Sequence, residues 1–417
     1  MGKKKQAGTS IYLAGLQFRI DRDHLARALG KIILVAEKKG DGVGTQVLFV
    51  AREGEEERIQ VAATDLISTL LLTCTADVDQ SGSLLLPAKQ LREIVRRLPP
   101  GDVHIAASGP EGHHALLTIQ QVGYKIFGKA PDEFPAVIRP ELPAGVEVGR
   151  HDLARATDRT EFSVATDQDR PNLCGIWFRQ LDGRLQLVST DGHRLSRVLT
   201  DRVENGGLGA AGLLGSIVPP KALRALGDIF TDSTVWIGID DSRAILIDNS
   251  ATLIVQVIEG VFPNFEHTFG PPMYVVSIDR QPLMVAIERI ALMANNKTPQ
   301  VNLELTESRL RISALSMDKG EAWEDLAIYY DGPELLVGAN SQFLLDALKA
   351  CQDERFELGV TDELSGIHIR NPREPDCLWL VMPISPQSAE EAAETGRTHK
   401  QANVAASEAP AVDEGAL

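Results

Sequence analysis

The sequence predicts an α+β protein of three similar domains in tandem, each with two helices and several antiparallel strands. Two observations predict it. One set of landmarks recurs three times in the same order, and each unit switches between helical and strand periodicity. The first landmark is an amphipathic helix start: Asp23-His24-Leu25-Ala26-Arg27-Ala28-Leu29, then His151-Asp152-Leu153-Ala154-Arg155-Ala156-Thr157, then Gln281-Pro282-Leu283-Met284-Val285-Ala286-Ile287. Its leucines are offset by 153 − 25 = 128 and 283 − 153 = 130 residues. The second is an apolar run feeding another amphipathic stretch, as in Leu84-Leu85-Leu86-Pro87-Ala88-Lys89, Ile217-Val218-Pro219-Pro220-Lys221 and Leu335-Leu336-Val337-Gly338-Ala339-Asn340. The third is a closing pair, Phe134-Pro135, Phe262-Pro263 and Met382-Pro383.

Between the helical stretches lie short alternating β-rich runs, Val47–Val50, Ile59–Ala62 and Leu185–Val188, separated by turns such as Asp182-Gly183. The landmarks place domains at 18–140, 146–270 and 274–385. Residues 1–17, basic at Lys3-Lys4-Lys5, and 386–417, Ala/Glu-rich without an apolar period, are expected to be disordered extensions. The Gly-rich stretch 205–212 leads into a strand, so it reads as a surface loop and not as a phosphate cradle.

Composition excludes several classes. No apolar run approaches the ~18–20 residues of a membrane span, and no apolar segment follows the basic N-terminus, so a cytoplasmic protein without a membrane partner is expected. Cys74, Cys174, Cys351 and Cys377 are far apart, form no CxxC and sit among apolar neighbours, which predicts buried, reduced thiols. Net charge is −16 and pI about 5.1, the wrong sign for a nucleic-acid binder as a whole. DNA binding would therefore require local positive charge.

That charge gathers on helices. From Ala88 to Leu98, Leu91, Ile94, Val95 and Leu98 form one apolar stripe, while Lys89, Arg92 and Arg96 lie on another face. Arg22 and Arg27 lie on the first helix, Arg155 and Arg159 on the third, and Lys221 and Arg224 on the fourth. Recurrence on equivalent helices favours a DNA-facing surface over a merely solvated one, the remainder of the molecule staying acidic.

Catalytic signatures are missing. There is no GxxxxGK[ST], and Gly42-Val43-Gly44 has Val47 where a third glycine is needed. Ser189, Asp191 and His193 stand two apart at a strand end, roughly 6.6 Å between neighbours, too far for a proton relay. His113-His114 are adjacent, unlike spaced zinc ligands. No cofactor, metal or reaction is expected.

Ser189-Thr190-Asp191-Gly192-His193-Arg194-Leu195, with Arg170-Pro171-Asn172-Leu173-Cys174-Gly175 before it, closely resembles the middle domain of the bacterial sliding clamps, the β subunits of DNA polymerase III. So do Val257–Phe265, the ending Leu380-Val381-Met382-Pro383-Ile384, and Ala63-Thr64-Asp65-Leu66 of the first domain. The resemblance spans roughly 18–385. It implies three clamp-type domains per subunit and a head-to-tail homodimer closed into a ring around double-stranded DNA, without sequence specificity. It also implies a processivity function without catalysis, exercised through polymerase, clamp loader and other clamp-binding peptides.

Carried over by position, the peptide cleft comprises Arg170, Leu173, Thr190, Gly192, His193, Arg194, Leu195, Pro263, Leu364, Met382, Pro383 and Ile384, with Thr190 and Arg194 orienting the peptide. Tyr124 would meet Leu292 and Met293 at the dimer interface. Lys38 and Lys39 are the candidates for a DNA-contacting loop, joining the helix residues above. The chain departs from the family at His267 and Thr268, where a basic and an aliphatic residue are usual, and in the 32 residues (386–417) after Ser385. These departures leave two other readings open: a diverged paralogue with a protective or resistance role, and a triplicated scaffold that does not touch DNA.

Overall fold

The computed structural model describes residues 15–386 apart from 38, 41, 55–56, 109–112, 137–144, 204–213, 240–241, 296–298 and 317. Each expected domain contains one β-α-β-β-β motif twice. In the first, β1 (Gln17–Asp21), α1 (Arg22–Val35), β2 (Gln46–Ala51), β3 (Arg58–Thr64) and β4 (Ser68–Thr75) are followed by a short β5 (Asp77–Gln80). Then come β6 (Gly82–Pro87), α2 (Ala88–Val95), β7 (Asp102–Ser108), β8 (His114–Ile119) and β9 (Val122–Phe127). The second runs β10 (Gly145–Gly149), α3 (Arg150–Glu161), β11 (Ile176–Leu181), β12 (Arg184–Thr190) and β13 (Arg194–Arg202). It continues with β14 (Leu214–Val218), two short helices α4 (Pro220–Leu223) and α5 (Leu226–Ile229), β15 (Thr234–Ile239), β16 (Arg243–Ile247) and β17 (Ala251–Gln256). The third runs β18 (Tyr274–Asp279), α6 (Arg280–Ala291), β19 (Gln300–Thr306), β20 (Arg309–Ser316) and β21 (Gly320–Ala327). Its second half is β22 (Leu335–Asn340), α7 (Ser341–Ala350), β23 (Arg355–Val360), β24 (Ile367–Asn371) and β25 (Glu374–Val381).

Local chemistry sets these elements. Asp21 ends β1 and caps α1, its carboxylate accepting from the N–H groups of Asp23 and His24 at 3.0 and 2.9 Å. Asn340 repeats the device at α7, accepting from Gln342 and Phe343. Helix α1 then buries Leu25, Leu29 and Ile32 on one side. The closing Phe134 packs on Leu48, Ala62 and Leu85, so this landmark is a core residue.

The three expected domains are gathered into two compact units. Unit 1 comprises Met1–Thr157, Asp169–Leu187 and Thr200–Val261, and unit 2 comprises Asp158–Gln168, Val188–Leu199 and Phe262–Leu417. Strand pairing explains the grouping, because it continues across the expected boundaries. In unit 1 the strand order β10-β15-β16-β17-β4-β3-β2-β6 joins the second domain to the first through β17 and β4. A second sheet of this unit has the order β5-β1-β7-β8-β9, and β11 pairs with β14. In unit 2, β13 pairs with β25, β25 with β24, β24 with β23 and β23 with β18, beside a sheet ordered β21-β20-β19-β22.

Four expectations need correction. The N-terminal extension was drawn too long: Leu16 is fully buried and Gln17 already pairs in β1. Helix α2 ends at Val95, although Leu98 stays buried, because the chain tightens into a turn in which Arg97 and Leu98 bond to Ile94 and Val95. Cys74 and Cys174 are half-buried, while Cys351 and Cys377 are buried; all four are free thiols. Lastly, the fourth helix is two short pieces, with Arg224 beyond the end of α4.

His368 on β24 is buried, and burial followed by the charge of Arg370 pushes its pKa down to about 4. It folds neutral. The unfolded chain takes up the extra proton between about pH 6.5 and 4, so stability from this group is complete above that window and falls as pH descends through it. The decline should approach about 1 kcal/mol per pH unit. Urea titrations from pH 7 to 4 should show a shallower decline in His368→Gln than in the unmodified protein; parallel curves would refute the assignment.

Candidate partner-binding and nucleic-acid interface

The turn between β12 and β13 is closed by its own side chains. Thr190 Oγ1 donates to the Arg194 carbonyl at 2.6 Å and accepts from the Gly192 N–H at 3.1 Å. Asp191 accepts from the N–H groups of His193 and Arg194 at 2.9 and 3.0 Å. Gly192 has φ +90°, a conformation that costs glycine nothing. Ser189 Oγ donates to the carbonyl of Thr160. These hydrogen bonds give Ser189, Asp191 and His193 structural duties and leave no relay among them.

Arg194 is a pin in this arrangement. Its guanidinium pairs with Asp191 at 3.0 Å and Asp346 at 2.6 Å and lies over the ring of Phe343, 4.4 Å from the centroid. The polar groups of Thr190 and Arg194, expected to orient a peptide, are thus engaged within the protein. Phe343 and Asp346, which sequence reasoning missed, complete the pin; on α7 they read only as one helical face.

The C-terminal strand meets the turn through main chain. The Met382 N–H donates to the His193 carbonyl at 2.8 Å, Arg194 pairs with Val381, and Ile367 pairs with Val381 from the other side. Continued by one residue, that register sets Gly366 opposite Met382, with Leu364 two residues before it in the loop. Beyond it the Ile384 N–H bonds to Gly338 O at 2.8 Å, and Gln300 Nε2 donates to the Ser385 carbonyl at 2.7 Å. Gly338 is required, since a Cβ there would stand 2.4 Å from Ile384 O. Unit 2 therefore gathers His193, Leu195, Leu364, Met382, Pro383 and Ile384. Leu195 is buried, Met382 and Pro383 are half-buried, and Leu364 and Ile384 are 83% and 39% exposed. Pro263 is exposed in the same unit, whereas Arg170 and Leu173 belong to unit 1, the first exposed and the second buried.

Unit 1 contains a replica of this turn. Thr64 Oγ1 donates to Ser68 O and accepts from the Leu66 N–H, and Asp65 accepts from Ile67 and Ser68. The Gln256 N–H reaches Ile67 O at 2.9 Å, as Met382 reaches His193, and the Ile258 N–H reaches Ile217 O at 2.8 Å, as Ile384 reaches Gly338.

The basic side chains differ in exposure and in partners. Arg27, Lys39, Lys89, Arg96 and Arg224 are exposed, and Arg22 and Arg92 are half-buried. Arg92, Arg96 and Arg97 surround Glu93, whose carboxyl lies below its ordinary pKa through the Arg97 hydrogen bond. Arg155 is held by Asp152, and Lys221 by the buried Asp65 at 2.5 Å. Lys38 lies outside the described residues. Arg159 is a correction. It is 4% exposed, paired with Glu374 at 2.7 Å and donating to Cys377 Sγ at 3.2 Å, while its carbonyl receives the Trp379 indole N–H. Its position on α3 turns it into the protein, so it cannot face DNA.

Two sheet ends expose apolar side chains. At β9, Tyr124 is 38% and Phe127 69% exposed; at β21, Trp323 is exposed, and just after α6, Leu292 is 72% exposed, with Met293 half-buried. Phe127 and Trp323 were not anticipated. A lone aromatic in a strand reads as core until its face is known.

Three family models match in order: the DNA polymerase III beta subunit N-terminal domain over residues 16–138, its central domain over 147–264 and its C-terminal domain over 272–385. The chain belongs to the family of the DNA polymerase III beta subunit. A curated relative, the beta sliding clamp of Caulobacter vibrioides, is 27% identical over 380 residues, covering 88% of this chain and all of that protein. Among solved structures, the DNA polymerase III subunit beta of Pseudomonas aeruginosa aligns with TM-score 0.81 at 26% identity, covering 88% of this chain and 99% of that one. A Caulobacter crescentus beta sliding clamp, crystallised with polyethylene glycol in its proposed beta-motif tethering region, aligns with TM-score 0.80 at 26% identity, covering 89% and 100%.

As a member of this beta subunit family the chain is a non-catalytic processivity clamp with three clamp-type domains. Among the described residues no helix is long and apolar enough to cross a membrane.

The Arg159 correction yields a test. Removing one partner of a buried ion pair strands the other, at about 3 kcal/mol or more. Arg159→Ala should lower the urea midpoint accordingly, while Arg96→Ala shifts it by less than about 0.5 kcal/mol. Equal small effects would return Arg159 to the surface.

Proposed function

We propose that two copies of this clamp close head to tail into a ring around duplex DNA. We further propose that the apolar surface of unit 2 around Leu364, Met382, Pro383 and Ile384, with Leu195 and Pro263, holds short peptides of the polymerase, the clamp loader and other partners in the cytoplasm. The observation that supports the ring is a rule of strand pairing. At both internal junctions the last strand of one domain's first half pairs with the last strand of the next domain's second half: β4 with β17 and β13 with β25. By that rule only β21 and β9 are left over, and both are open sheet ends. Within one chain they belong to the third and first domains, so a second copy, contributing its first domain to this third domain and the reverse, satisfies both edges. Tyr124, Phe127, Leu292, Met293 and Trp323 would be covered in the process.

A closed ring stays on DNA by topology, so each contact can be weak and water-mediated and the ring can slide. Lys89, Arg92 and Arg96, with Arg22, Arg27, Lys39, Arg155, Lys221 and Arg224, suit that role. Most are exposed, and several are already partnered by carboxylates, which tempers their grip on phosphate.

Light scattering should give twice 45.3 kDa, and Phe127→Asp should give the single mass; a wild-type monomer at micromolar concentration would overturn the ring. Lys89, Arg92 and Arg96 changed together to Glu should shorten retention on loaded circular DNA and leave the dimer intact. Unchanged retention would remove these residues from the DNA-facing surface. For the cleft, Met382→Ala should weaken binding of a labelled Gln-Ala-Ser-Leu-Phe pentapeptide by about 1–2 kcal/mol; no effect would place the peptide elsewhere.

A further inference from the structure

We propose that the C-terminal segment 387–417 docks in cis on the apolar surface formed by Leu364, Met382 and Ile384, and competes there with partner peptides. The proposal rests on the cleft reading above and adds a regulator to it.

The anchoring of the chain just before this segment is the first reason. Residues 384 and 385 are fixed by the Ile384–Gly338 and Gln300–Ser385 hydrogen bonds, so the segment departs from a defined point at the margin of the surface. Leu336, two residues before Gly338 and on the same face of β22, is also exposed, as is Ile384. Apolar groups are thus open on both sides of the departure point.

Length and pattern supply the second. Thirty-one residues, 387–417, follow Pro386. Val404 stands 18 residues after Pro386, and at a maximum of roughly 3.3–3.6 Å per residue that length is ample for a surface that begins at its root. Val404, Val412 and Leu417 are the segment's only large aliphatic side chains, and all three stand late enough to fold back. Tethering sets an effective concentration on the order of millimolar, so even a weak contact competes with a free peptide.

Charge sets the register. Arg397, His399 and Lys400 precede Val404. On the surface, Asp362 and Glu363 stand immediately before Leu364, and Asp362 is kept ionised by hydrogen bonds from Ser365 and Leu364. With the basic group against Asp362 and Glu363, Val404 comes to Leu364. Glu390, Glu391 and Glu394 then lie near the root of the segment, where they repel acidic ligands.

The test compares three forms of the protein: full length, truncated after Pro386, and full length with residues 387–417 replaced by a Gly/Ser chain of equal length. Each is titrated with the labelled Gln-Ala-Ser-Leu-Phe pentapeptide. The truncated and Gly/Ser forms should bind at least threefold tighter than full length, and Val404→Asp should recover most of the gain. Equal affinity in all three overturns the proposal and leaves the cleft reading standing. In a second arm, a labelled synthetic 387–417 peptide is added in trans to the truncated protein. It should bind and be lost in Leu364→Glu, whose fold is checked by its urea midpoint. Should the pentapeptide bind none of the forms, the cleft reading falls, and this second arm alone decides the docking: no binding, or binding indifferent to Leu364→Glu, overturns it.

Discussion

Main-chain pairing between the last strand of one domain's first half and the last strand of the next domain is the constraint on which the rest of this protein depends. β4 pairs with β17 over Ser68–Leu72, and β13 with β25 over Arg194–Val198. Each junction satisfies an edge that would otherwise present a row of unpaired N–H and C=O groups. It also draws the strand that follows against the turn that precedes, which is why Met382 meets His193 and Gln256 meets Ile67 at nearly the same distance. The candidate cleft is therefore a by-product of the joint. Its geometry repeats in unit 1 because the joint repeats.

Polar chemistry at the joint serves rigidity. Thr190, Asp191, Arg194 and Asp346 are engaged with one another or with main chain, and in unit 1 Thr64, Asp65 and Lys221 are similarly occupied. The apolar side chains of the candidate cleft, Leu364, Met382, Pro383 and Ile384, are half-buried or exposed. A surface of that kind accepts varied peptides, since a flexible thioether and aliphatic groups repack where a fixed hydrogen-bond array would discriminate. The replica in unit 1 presents Leu66 and Ile67 where unit 2 has Gly192 and His193, and Leu66 holds a left-handed φ of +70° without a glycine.

The acidic balance of the chain fits the same economy of contact. A net charge of −16 keeps the molecule soluble and away from stray nucleic acid, while basic side chains on α1 and α2 give a local surface of opposite sign. Glu93 amid Arg92, Arg96 and Arg97 shows the balance struck residue by residue.

The sequence alone determined the triplication, the α+β class, the two helices per domain and the family, because landmarks and periodicity are local and survive in one dimension. Through the family resemblance it also identified the segment Thr190-Asp191-Gly192 and the Met-Pro ending; in the former the positive φ falls on Gly192. The direction a helical side chain takes was decided by the tertiary structure. Arg159 and Arg155 are one turn apart on α3, yet one is buried against Glu374 and the other is held near the surface by Asp152. Periodicity ranks faces by hydrophobicity and cannot foresee an ion pair supplied from 215 residues away (374 − 159). Nor could it show that Arg194 is a pin, because Phe343 and Asp346 acquire that role only through packing. The two-unit division was equally hidden, since hydrogen bonds between strands leave no mark on either strand's own sequence.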